Sequence, residues 1–111
     1  MKFIPVFTNR KDISRDECRS RYAIGHAQLA ATVPEFNRHM PKYVQNFVID
    51  ALPFQLAAPR IAGISENFFY SLEGFWNAFA EPRYSEFRED EARFADFDDL
   101  MLVFSSPLFI F

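Results

Sequence analysis

The sequence predicts an α+β fold in which a four-stranded antiparallel sheet carries its helices on one face, the split βαβ or ferredoxin-like arrangement. Three observations carry this. Apolar alternation marks four strands, the first at residues 2–8 and the last at residues 100–105. The elements run strand, helix, strand, strand, helices, strand, and right-handed crossovers lay that order onto one sheet face. Half of the 111 residues are hydrophobic and 15 are Phe, more than the core of a single domain of this length needs. The other sheet face is left bare, so the surplus is assigned to a homodimer in which two such faces meet.

Residues 2–8, KFIPVFT, are apolar on both faces, and Pro5, which has no N–H for a ladder, places this strand at an edge or turns that N–H position away from a neighbour. A helix follows from Ser14 to Pro34. Ser14 with Glu17 three positions on forms a capping box, and Cys18, Tyr22, Leu29 and Val33 recur at helical spacing as the buried stripe. His26 falls inside that stripe, one turn after Tyr22. The stretch EFNRHMPKY reads as a connection, and Tyr43–Ile49 as a strand with Tyr43, Gln45 and Phe47 on one face and Val44, Asn46 and Val48 on the other.

Residues 50–63, with Pro53 and Pro59, read as an extended loop of the kind that serves as a lid. Ile64–Tyr70 is the third strand. Ser71 caps a helix reaching Ala80, with Phe75, Trp76 and Phe79 as its buried edge, and a further helix spans Tyr84–Arg93. In that helix Phe87 and Phe94 bracket Asp90 and Glu91, which brings a carboxylate to the apolar side; both acids are assigned to ion pairs with Arg88 or Arg93. An exposed apolar tail at 108–111 needs cover from its own core or a partner.

Composition narrows the function. The net charge is −3 and the basic residues are scattered without a stripe interleaved with aromatics, so nucleic acid is not an expected partner. No run approaches a membrane span and the N-terminus has no long apolar core, which predicts a soluble, cytoplasmic protein with no membrane partner. A single cysteine, Cys18, reads as a small core residue, and no Cys or His cluster offers a metal site.

Four ordered stretches, SRDECRSRYAIGHAQL, KYVQNFVI, GISENFFYSLEGF and EDEARFADFDDL, resemble those of the EthD-domain family of the dimeric α+β barrel superfamily. The resemblance covers most of the chain, read as one domain over residues 1–111. It implies a subunit pairing into a dimeric α+β barrel, a hydrophobic pocket between helices and sheet, and neither cofactor nor metal. Related members act as dehydratases or decarboxylases on aromatic polyketides, or as isomerases of muconolactone-type compounds. His26 matches the family's helix histidine and Tyr22 the aromatic before it. A cysteine used by some isomerase relatives has no counterpart in the third strand, where Asn67 and its neighbours stand.

An imidazole, with an ordinary pKa of about 6.5, can take or give a proton at neutral pH, and facing an apolar pocket it suits eliminations, decarboxylations and isomerisations. His26 is the expected acid/base, Tyr22 its positioning partner, and His39 a second candidate whose loop could hang over the pocket. Tyr43, Asn46, Glu66, Phe68 and Trp76 are the expected substrate-binding residues, with at most one of Tyr43 and Asn46 facing a given pocket. Glu66 reads first as an ion-pair partner of a Lys or Arg, against a role as acid or base in an apolar surround. The expected function is a cofactor-free lyase acting on a hydrophobic aromatic or polyketide-like molecule, with an isomerase or cyclase, or a non-catalytic binding module, as alternatives.

Overall fold

The structure is a computed structural model that describes residues 1–49 and 60–108. Four strands, β1 (Lys2–Thr8), β2 (Lys42–Phe47), β3 (Ile61–Phe68) and β4 (Met101–Ser105), form one antiparallel sheet in the order β2-β3-β1-β4. This is the ferredoxin-like topology expected from the element order.

β1 is central and not at an edge, so of the two readings of Pro5 the edge one is corrected and the unpaired position remains. Its ladder to β3 runs Lys2–Phe68 and Phe3–Asn67, skips Ile4 and Pro5, and resumes at Val6–Ile64. A residue without an N–H is tolerated where pairing lapses, and beside the gap the Asn67 side chain donates to the Phe3 carbonyl at 3.0 Å. β3 begins three residues earlier than the alternation indicates. Gly63 is a strand residue because the Phe7 ring occupies its side-chain space: a Cβ there would meet Phe7 Cζ at 2.4 Å. Residues 61–63 of the expected loop are therefore strand, and the proposed lid at 50–59 lies outside the described residues.

The expected long helix is one rod in three parts, α1 (Arg15–Ser20), a π-helical segment (Arg21–His26) and α2 (Ala27–Ala31). Ser14 Oγ accepts from the Glu17 N–H at 3.1 Å, but the reciprocal half of the capping box is missing, because the Glu17 carboxylate turns to Arg21 at 2.7 Å. Ser14→Ala should cost about 1 kcal/mol through the one surviving cap bond. Urea denaturation checks this, and an unchanged midpoint would contradict it. Thr32 ends the rod, and the expected connection holds a short helix, α3 (Pro34–Asn37), with Pro34 at its first position.

Ser71 caps α4 (Leu72–Phe79) by accepting from the Gly74 N–H at 3.0 Å. Phe75 and Ala78 are buried on it, whereas Trp76, expected on the same edge, is 62% exposed. A residue one position from Phe75 lies about a quarter-turn round the helix. Then follow α5 (Tyr84–Glu91) and a 3₁₀ turn (Phe97–Asp99) leading into β4.

The helices cover one face of the sheet. There Phe3, Phe36, Phe69, Phe75 and Phe87 form one core cluster, and Phe7, Cys18, Tyr22 and Phe94 a second. The opposite face carries Ile4, Val6, Val44, Ile64, Phe68 and Val103, all half-buried, around a Lys2–Glu66 ion pair of 3.3 Å. Phe68 is the one phenylalanine among the described strand residues of that face, so the Phe surplus fills the helix side and does not coat the bare face.

Candidate active site

The site is built on the π-helical segment. Gln45 of β2 donates from Nε2 to the Tyr22 carbonyl at 2.7 Å, and a side chain inserted against a helix's carbonyl ladder is a recognised cause of local rewinding. On this segment Tyr22 and His26, four residues apart, are both buried with their rings stacked at 6.5 Å. His26 is further enclosed by ring edges of Phe94 at 5.4 Å, Phe87 at 5.9 Å and Tyr43 at 6.4 Å.

His26 Nδ1 lies 2.8 Å from Asp90 Oδ2, with both side chains largely buried. A carboxylate there selects the tautomer that carries its proton on Nδ1, so Nε2 is the ring nitrogen left for the pocket. Asp90 also faces Arg93 at 3.7 Å. The ion-pair assignment of Asp90 is thus incomplete: its shortest contact is to the imidazole, across 64 residues of sequence. Glu91 pairs with Arg88 at 3.4 Å, as expected.

His26 opens into a pocket between helices and sheet that Tyr22, Tyr43, Ser65, Glu91 and the rings of Phe87 and Phe94 help to line. Its volume is about 50 Å³, room for a few waters. At its polar end Tyr22 Oη and Ser65 Oγ are 2.7 Å apart, and Tyr43 Oη accepts from Gln45 Nε2 at 3.0 Å. Burial, reinforced by the neighbouring Tyr43, pushes the Tyr22 phenol well above its ordinary range. Burial likewise raises Tyr43, against the opposing hydrogen bonds of Gln45 and Ser65. Both phenols are therefore neutral donors and not bases. Among the described residues no three His, Cys, Asp or Glu side chains are grouped to hold a metal ion, and an imidazole, a carboxylate and phenols in an apolar pocket are equipped for proton transfer.

Glu91 gives a pH-dependent signature. Burial raises its carboxyl above the usual range, opposed by His26 and Arg88 and reinforced by Asp90. The folded chain holds this proton more tightly than the unfolded chain, so the group's contribution to stability is lost as pH rises from the ordinary carboxylate value of about 4.3 through the raised folded value. Glu91→Gln cannot ionise and should gain stability relative to the parent over that rise. Parallel stability-versus-pH curves for the two proteins would contradict this.

Several expected site residues are elsewhere. His39 Nε2 sits 3.1 Å from Glu81, beside Arg38, in an ion-pair cluster tying the end of α3 to the end of α4. It does not reach the pocket. Asn46, Glu66 and Phe68 project to the opposite sheet face, by the alternation that puts Gln45, Ser65 and Asn67 toward the helices. There Asn46 Nδ2 donates to Glu66 Oε2 at 3.0 Å, that bond and then Lys2 hold the Glu66 carboxyl below its ordinary value, and Phe68 lies under Lys2 and Lys42. Trp76 is on the outer surface of α4. Of the named residues, His26, Tyr22 and Tyr43 come together. Asp90, expected only as an ion-pair partner of Arg88 or Arg93, joins them with Gln45 and Ser65, which were not expected in the site, because nothing local in the sequence shows which residues meet across the helix–sheet interface.

Solved structures share this architecture. An ethyl tert-butyl ether degradation (EthD) family protein from Bacillus halodurans superposes with a TM-score of 0.72 at 17% identity, covering 96% of this chain and 97% of that one. A dimeric protein of ferredoxin-like fold from Bacteroides fragilis gives 0.66 at 14% identity over 92% and 90% of the two chains. The hydroxynitrile lyase of Passiflora edulis gives 0.63 at 18% identity over 92% and 87%. At such identities the likeness is one of fold. No curated protein matches the sequence. The model of the EthD domain matches residues 10–98, and with most of its length inside that match the chain belongs to the EthD domain family.

Proposed function

We propose that this protein is a cofactor-independent lyase that eliminates a leaving group from a small hydrophobic aromatic or polyketide-like molecule. The observation that carries this is the His26–Asp90 pair, 2.8 Å apart, at the wall of an aromatic pocket. His26 Nε2 takes a proton from a carbon of the substrate, the C–H electrons form the new π bond, and the leaving group departs with its bonding pair. Asp90 stabilises the imidazolium formed in that step, and His26 returns the proton to the leaving group. The narrow pocket favours a single-ring portion of the substrate beside the imidazole. Likeness in fold to a hydroxynitrile lyase agrees with a lyase reading.

Mass spectrometry of a ligand retained through purification supplies the substrate class, and turnover of that class by Asp90→Asn tests the pair. A fall of roughly tenfold or more with unchanged folding is expected, since an amide no longer enforces the tautomer. Unchanged turnover contradicts the role of Asp90.

The protein is further proposed to act as a homodimer closed through its bare sheet faces, whose half-buried Ile4, Val6, Val44, Ile64 and Val103 form an apolar patch on a lone subunit. Sedimentation at micromolar concentration should show a dimer. A stable species at the chain mass of 13.0 kDa would contradict it.

A further inference from the structure

One side chain spends both of its donors inside the site without touching the pocket's imidazole. Gln45 Nε2 gives one hydrogen to the Tyr22 carbonyl at 2.7 Å and the other to Tyr43 Oη at 3.0 Å. An amide nitrogen has two hydrogens and no further donor capacity, so these bonds fix where it points. The first holds the π-helical segment that carries His26. The second determines the direction of the Tyr43 hydrogen bond: with its oxygen accepting from Gln45, the phenol's own proton is directed away from β2. Tyr43 lines the pocket, edge-on to His26 at 6.4 Å, with Ser65 on the pocket wall.

We propose that Gln45 is a positioning residue that makes Tyr43 a committed hydrogen-bond donor to the oxygen of a pocket ligand, so that the site selects phenols and aryl carbonyls over rings without oxygen. This rests on the pocket reading above and names the ligand class of the same site. The ligand oxygen accepts from Tyr43, while the atom that loses its proton faces His26 Nε2. The arrangement also couples the two halves of the site, because one amide group ties the histidine's helix to the phenol's strand.

The test is equilibrium binding of phenol and of toluene, two rings of nearly equal shape, to the parent and its variants. The ratio of the two dissociation constants is the readout, so differences in ligand hydrophobicity cancel between proteins. Tyr43→Phe should weaken phenol relative to toluene roughly five- to tenfold, the worth of one hydrogen bond. Gln45→Glu keeps the shape of the side chain but turns the donor into an acceptor that draws the Tyr43 proton to itself. It should shift the ratio in the same direction, as should Gln45→Leu, and neither should add to the shift of Tyr43→Phe in a double variant. A ratio unchanged in Tyr43→Phe or in Gln45→Glu overturns the proposal. So do Gln45 variants that only unfold, or that weaken phenol and toluene equally, since they mark Gln45 as purely structural. Because no turnover enters, absence of lyase activity leaves this result standing, and failure here leaves the roles of His26 and Asp90 to their own tests.

Discussion

His26→Ala should lower turnover by roughly 10²–10⁴, the range for loss of a positioned acid/base. The effect is expected on kcat and not on ligand affinity, because the imidazole is one wall of a pocket whose other walls are mostly aromatic and aliphatic. Tyr22→Phe should have a smaller effect. Its hydroxyl bonds to Ser65 and not to the imidazole, so it supports the floor of the pocket and leaves the His26–Asp90 contact in place. A folded His26→Ala protein with parental turnover on its substrate ends the lyase assignment and leaves a ligand-binding module as the surviving reading.

The second large effect is on stability. Phe94 is 2% exposed and packs its ring against Phe7 at 5.3 Å, Tyr22 at 5.4 Å and His26 at 5.4 Å. Its carbonyl also accepts from the Arg10 N–H and the Cys18 thiol, so the chain around it is pinned. A pinned backbone collapses poorly around a void, and Phe94→Ala should cost about 3–5 kcal/mol, at the level typical of buried aromatic truncation. Phe94→Leu, which refills most of the space, should cost less. The difference between the two, measured by chemical denaturation, separates the cavity from the chemistry. A cost under about 1 kcal/mol for the alanine variant would mean that this cluster is not the core that places His26.

Much of the architecture was legible because it is written in local patterns. Ser14 and Ser71 announce helix starts, and the alternation in KYVQNF and ISENF separates two faces of a sheet. Histidine 26 was legible for the same reason, as a polar residue on an apolar stripe. What was not legible depends on partners distant in sequence. The π-helical winding follows from Gln45, a residue of another element, and Gly63 reads as a breaker until the Phe7 ring is seen in its side-chain space. Pro5 leaves an edge strand and an unpaired N–H position both open until the lapse in the ladder to β3 is seen. Asn46 was separated from Tyr43 by parity, yet parity does not say which face the helices cover. Asp90 was visible as a carboxylate forced toward the apolar side of its helix, and only the packing of α5 on the π-helical segment names His26 as its partner.

The central claim is that Asp90 holds His26 as a base with Nε2 open to the pocket, and long-range ¹H–¹⁵N NMR of the labelled imidazole at a pH where it is neutral reads this directly. The account predicts a proton on Nδ1 and a bare Nε2 in the parent protein, with Asp90→Asn shifting the population toward the Nε2–H form. A parent imidazole protonated on Nε2, or a tautomer indifferent to Asp90→Asn, would contradict it.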